Sequence, residues 1–145
     1  MRKTFVILLL SALYIGTYAQ DTVLTSKQYL EEGSKLLKKK KYELAIASFS
    51  KSIELDIEEV EAYTYRGLAY YKLGQYKKAI KDFDIALLIK EGYAEAYNYR
   101  GLAKGELGDK KGACEDWYQA YYHGLNNSYR LIKKFCKDYK GKEKK

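Results

Sequence analysis

The groups best suited to chemistry in this chain are few: one histidine, His123, and two cysteines, Cys114 and Cys136. A nucleophilic triad, a zinc finger or a histidine-rich metal site needs more ligands than these three supply. No glycine-rich phosphate loop followed by Lys-Ser/Thr occurs. The carboxylates are read as turn residues, with none in an apolar stripe that would raise its pKa. His123 reads as a turn residue at a helix end. The expectation is a non-enzymatic protein with no catalytic residue, no metal and no cofactor.

The cysteines read differently. The turn before the last helix centres near Leu125, with Cys114 eleven residues before it and Cys136 eleven after. In an antiparallel helix pair both then stand at the same height along the axis. The favoured reading is a Cys114–Cys136 disulfide of structural purpose, against two small buried hydrophobes.

What positions these residues is a repeat. Gly33, Gly67 and Gly101 lie 34 residues apart, and Tyr29/Tyr63/Tyr97, Ala45/Ala79/Ala113 and Phe49/Phe83/Trp117 keep the same step. A fixed period of this size marks stacked supersecondary units that cannot bury their apolar faces alone. Proline is absent and Ala, Leu, Lys and Glu abound, which favours helices. Helices are expected at 26–39, 42–56, 60–73, 76–90, 94–107, 110–123 and 127–139. Thr25 and Gln28 resemble a capping box opening the first, and Gly74, Gly92, Gly108 and Gly124 suit left-handed helix ends. Within a unit, Gly67 and Ala79 are expected at the helix crossing, with Tyr63 and Phe83 filling the space beside it.

The chain's start carries Arg2 and Lys3, an apolar run from Thr4 to Tyr18, and Thr17-Tyr18-Ala19 before Gln20. This is the layout of a secretory signal peptide. The run is too short and interrupted for a span of about 20 apolar residues. Expected are a signal peptide at 1–19, a leader at 20–25, a repeat domain at 26–139 and a Lys-rich tail at 140–145. The destination is then the periplasm or the exterior of a bacterium, with no stable membrane span after cleavage. Removing residues 1–19 takes two of 27 Lys+Arg and none of 19 Asp+Glu, which leaves +6.

The in-phase aromatic, glycine and alanine positions resemble the tetratricopeptide repeat (TPR) family, with repeats at 26–59, 60–93 and 94–127 and a cap helix at 127–139. The first repeat is looser, with Leu36 for Tyr and Ser52 for Ala. Ile57, Glu91 and Leu125 stand where the family has proline. Phe135 occupies the glycine register, which a ring tolerates only where no partner helix follows. The resemblance implies an all-α, right-handed α-solenoid of three helix-turn-helix repeats with a capping helix. It also implies a concave groove lined by Leu30, Ser34, Thr64, Tyr65, Leu68, Tyr71, Lys72, Asn98, Tyr99, Leu102 and Glu106. One subclass grips a C-terminal carboxylate with Lys, Asn and Arg. The matching places here hold Leu30, Ser34, Tyr65, Glu95 and Tyr99, so that clamp is missing.

Two uses follow. In the first, Tyr65 and Tyr99 hold a peptide or helix of a partner protein in the cell envelope, and Asn98 orients its backbone. The opposing reading is that these tyrosines only pack between neighbouring first helices. In the second, a basic edge at the turn inside each repeat meets an anionic envelope polymer or membrane surface. That edge comprises Lys38, Lys39, Lys40, Lys41, Lys77, Lys78, Lys110 and Lys111. Nucleic acid is not an expected partner at this moderate charge.

Overall fold

The computed structural model describes residues 24–139. The expected signal peptide, most of the leader and the Lys-rich tail lie outside the described residues. Seven helices follow in order: α1 (Ser26–Lys38), α2 (Tyr42–Leu55), α3 (Val60–Lys72), α4 (Tyr76–Ile89), α5 (Ala94–Glu106), α6 (Lys110–Tyr122) and α7 (Ser128–Phe135). The first six end within a residue of expectation. The last is shorter, because the chain leaves the helix at Cys136 and turns.

Local chemistry explains the ends. Thr25 Oγ1 accepts from the Gln28 backbone N–H, and Gln28 Oε1 accepts from the Thr25 N–H, which completes the capping box. Gly74 and Gly108 close α3 and α5 at φ of 72° and 84°. The same register in the first repeat holds Lys40, which takes φ of 59°, a conformation side chains resist.

Each helix packs on its chain neighbours, and α1 also touches α3 as α3 touches α5. The first helices of the three repeats therefore line one side of an all-α solenoid, and α7 closes it against α6. Ala45, Phe49, Ala79, Phe83, Ala113 and Trp117 are buried along its axis.

The crossing inside each repeat differs from expectation in one respect. The group nearest Gly67 is the ring of Phe83, whose Cε1 would stand 2.7 Å from a Cβ built there. Phe49 lies over Gly33 and Trp117 over Gly101 in the same way. The glycine makes room for the aromatic itself, so the ring lies over the crossing instead of beside it.

Candidate functional site

Tyr65 and Tyr99 stand in the second turn of their first helices, α3 and α5. Tyr65 on α3 is half-buried, its ring centroid 6.1 Å from that of Phe49 on α2. Tyr99 on α5 repeats this at 6.1 Å from Phe83 on α4, with the planes 28° apart. These tyrosines thus back onto the preceding repeat's second helix and not merely onto neighbouring first helices. Each leaves part of its ring to solvent.

Carboxylates surround them. Burial pushes the Tyr65 phenol above its usual value, and Glu95 and Glu61 push the same way. Burial followed by Glu95 raises Tyr99, and burial followed by Glu106 raises Tyr71. Burial, with Glu95 again, raises Tyr93 strongly. At neutral pH these phenols stay protonated and can donate hydrogen bonds. Tyr71 donates to Glu106 Oε1 at 3.4 Å.

Two expected groove residues serve the scaffold. Thr64 is fully buried and its hydroxyl donates to the Val60 carbonyl at 2.9 Å. It is in the interior and offers a ligand nothing. Asn98 accepts at Oδ1 from the buried Ser128 hydroxyl at 2.9 Å, which ties α5 to the start of α7. One lone pair of that oxygen is thus engaged, while the amide NH2 stays a donor. Leu68, Tyr71 and Leu102 are half-buried, and Lys72 is exposed with its ammonium 5.7 Å from the Tyr71 ring.

The lysine edge stands where the helix turns put it. Lys38, Lys39, Lys40, Lys41, Lys77, Lys78, Lys110 and Lys111 are all exposed beside the turn of their own repeat. Lys78 also sits 5.4 Å from the Tyr70 ring. His123 does more than end a helix. Its ring stacks on Tyr97 at 5.8 Å and covers Gly92, where a Cβ would meet it at 2.9 Å.

Cys114 and Cys136 are bonded, with Cα atoms 5.8 Å apart, and both are buried. The bond fastens α7 to α6.

The sequence reading of the carboxylates needs correcting. Asp82 and Asp116 are buried inside α4 and α6, not in turns. Arg66 Nε and Nη2 donate to both oxygens of Asp82 at 2.8 Å, and Nη1 reaches Ser50 of the preceding repeat at 3.0 Å. Arg100 grips Asp116 at 2.9 and 2.7 Å and reaches back to Asp84 at 2.6 Å. Lys104 adds a second cation to Asp116 at 2.9 Å. The Asp82 bonds raise the pKa of Arg66 despite burial. Burial opposes the charge on Arg100, but Asp116 and Asp84 outweigh it and the net shift is upward. These ladders clamp repeat to repeat. Their signal was present as Arg66/Arg100 and Asp82/Asp116 at the repeat interval.

Residues 60–93 match the family described as "Tetratricopeptide repeat", and residues 33–74 match that described as "TPR repeat". No curated protein matches the chain. Among solved structures the chain is similar to the first TPR of Spaghetti (RPAP3) bound to HSP90 peptide SRMEEVD. The two share 26% identity over 79% of this chain and 92% of that one, with a TM-score of 0.75. It is also similar to the second TPR domain of human RPAP3 in complex with HSP70 peptide SGPTIEEVD. There the identity is 28%, over 75% of this chain and 92% of that one, with a TM-score of 0.70. Among the described residues no helix is long and apolar enough to cross a membrane.

Proposed function

We propose that this chain, a tetratricopeptide repeat protein, holds a segment of a partner protein against the exposed ring faces of Tyr65 and Tyr99, without turnover. One observation carries this reading: each ring is braced from behind by a buried phenylalanine yet keeps part of its surface open. A braced aromatic offers contact area at little cost in side-chain entropy. The similar RPAP3 domains bind HSP90 and HSP70 peptides, which supports capture of a protein segment. Those peptides end in EEVD, whereas the corresponding groove positions here hold Leu30, Ser34, Tyr65, Glu95 and Tyr99. A carboxylate beside Tyr99 disfavours an acidic terminus at that spot, so the part of the segment lying on Tyr65 and Tyr99 is not an EEVD end.

The setting we propose is the bacterial cell envelope or the exterior. The signal-like start of the sequence supports export, and so does the Cys114–Cys136 bond, because disulfides persist in oxidising compartments. Crosslinking in intact cells followed by mass spectrometry tests the groove. Tyr65→Ala/Tyr99→Ala should lose a protein that the parent captures while keeping the parent's helical circular dichroism. An unchanged set of crosslinked proteins overturns the reading.

The row of exposed lysines at the intra-repeat turns favours a second use, as an electrostatic adaptor on an anionic polymer or membrane surface. Exposed charges are screened within about 10 Å at 0.1 M salt. Binding through this edge should therefore collapse as salt rises, and binding through the tyrosines should not.

A further inference from the structure

The third repeat breaks the pattern of the second at one spot. In the second repeat, Tyr71 on α3 and Tyr76 on α4 lie with centroids 5.5 Å apart and planes tilted by 54°, and pack over the Ala79–Phe83 core. One period later those places hold Gly105 and Lys110, while Leu102, Ala113 and Trp117 keep the register of Leu68, Ala79 and Phe83. Two rings are thus deleted above a floor in which Trp117 stands for Phe83. What remains is a cleft of about 380 Å³ lined by Gly105, Lys110, Trp117, Lys134 and Phe135, among others.

Packing does not demand Gly105. A Cβ there would meet its nearest neighbours, Ala113 Cβ and Trp117 Cη2, at 3.9 Å, which is ordinary contact. Its φ lies outside the left-handed region as well. A glycine inside a helix costs roughly 0.5–1 kcal/mol relative to alanine, and its visible consequence here is the opening.

We propose that this cleft binds the aromatic side chain of an acidic peptide segment. The ring takes the place that Tyr71 fills one repeat earlier, over Trp117 and against the half-exposed ring of Phe135. The cleft volume lies at the lower end of ligand-site sizes, enough for one large side chain. Lys110 and Lys134 stand on its rim, and neither makes a salt bridge among the described residues. The rim's one carboxylate, Glu106, accepts from Tyr71. Glutamates or aspartates flanking the aromatic would meet those two ammonium groups. The segment's identity as a protein rests on the groove reading, since Leu102 joins the cleft to Tyr99 one turn earlier on α5.

Trp117 is the sole tryptophan, so its emission reports the cleft directly. The probe is a blocked pentapeptide with one phenylalanine between two glutamates. It should change Trp117 emission saturably, and an alanine-centred or lysine-flanked counterpart should bind about tenfold or more weakly. Gly105→Tyr, which restores the second repeat's pattern, should abolish the response. Should that variant fail to fold by circular dichroism, Gly105→Leu and Lys110→Ala/Lys134→Ala read the ring site and the rim separately. Tyr65→Ala/Tyr99→Ala should leave this titration intact, so the cleft and the groove fail independently. The proposal is overturned by no saturable response, by an equal response in a folded filled-cleft variant, or by equal binding of the lysine-flanked peptide. Emission that instead follows protein concentration without peptide assigns the cleft to a second copy and overturns it too.

Discussion

A methyl group on Gly101 would come within 2.6 Å of Trp117 Nε1, whereas one on Gly105, a single turn further along α5, would touch the same ring at 3.9 Å. The identical substitution should therefore have opposite signs at these two positions. Gly101→Ala should destabilise by about 1–3 kcal/mol through overpacking, since Trp117 is buried and the Ala113 carbonyl blocks one side. Gly105→Ala should stabilise by roughly 0.5–1 kcal/mol through helix propensity. Urea unfolding of the two variants checks both, and equal shifts would contradict the placement of the indole.

The buried ladder should outweigh any surface ion pair. The Asp116 side chain is 4% exposed and holds two cations, Arg100 and Lys104. Asp116→Ala should cost about 3–5 kcal/mol, because Lys104 loses its partner and Arg100 keeps only Asp84 in a partly buried setting. Lys51→Ala removes the Lys51–Glu54 pair, whose side chains are 58% and 61% exposed, and should leave the denaturant midpoint nearly unmoved. Denaturant midpoints of the two variants, measured side by side, decide this.

Reduction should loosen the cap before the rest. The Cys114–Cys136 bond spans 22 residues and fastens an eight-residue helix, too short to persist alone. Breaking it should remove about 2–4 kcal/mol. Thermal melts with and without reductant should differ for the parent and coincide for Cys114→Ser/Cys136→Ser. Hydrogen exchange should show the loss concentrated in 128–135.

The junction between the first two repeats should respond to pH. Burial, then Glu61 and Asp56, raise the Glu59 carboxyl above its ordinary 4.5, against a smaller pull from Lys27. A carboxyl with a raised folded pKa holds its proton more tightly when folded. Its contribution is fully present below 4.5 and is lost as pH rises through the folded value. Glu59→Gln should accordingly melt above the parent at pH 7, with the gap closing as pH falls below 4.5. A gap that stays constant with pH would refute this electrostatic origin.

Much of the scaffold was legible because its constraints are local or periodic. Gly33, Gly67 and Gly101 with Phe49, Phe83 and Trp117 announce the helix pairs, since a ring this size needs a missing side chain opposite it. Thr25 and Gln28 mark the first helix from four residues alone. The candidate site was less legible. Thr64 shares a register with groove residues in the resembling family, yet it points inward, and no side-chain type forbids that. The tie of Asn98 to the cap was not legible because its partner, Ser128, lies 30 residues away. The burial of the Asp82 and Asp116 carboxylates was not legible because their pairing runs across helices at a 16-residue offset that helical periodicity does not reveal.

The sequence by itself determined the repeat, its period, the positions where rings meet glycines and the height match of Cys114 with Cys136, because each follows from spacing along one or two helices. Only the tertiary structure decided which polar residues face inward, that Arg66 and Arg100 clamp neighbouring repeats, and that Gly105 and Lys110 leave an opening above Trp117. The physical reason is that burial and ion pairing depend on which helix faces come together in space, and an opening is a property of several helices at once.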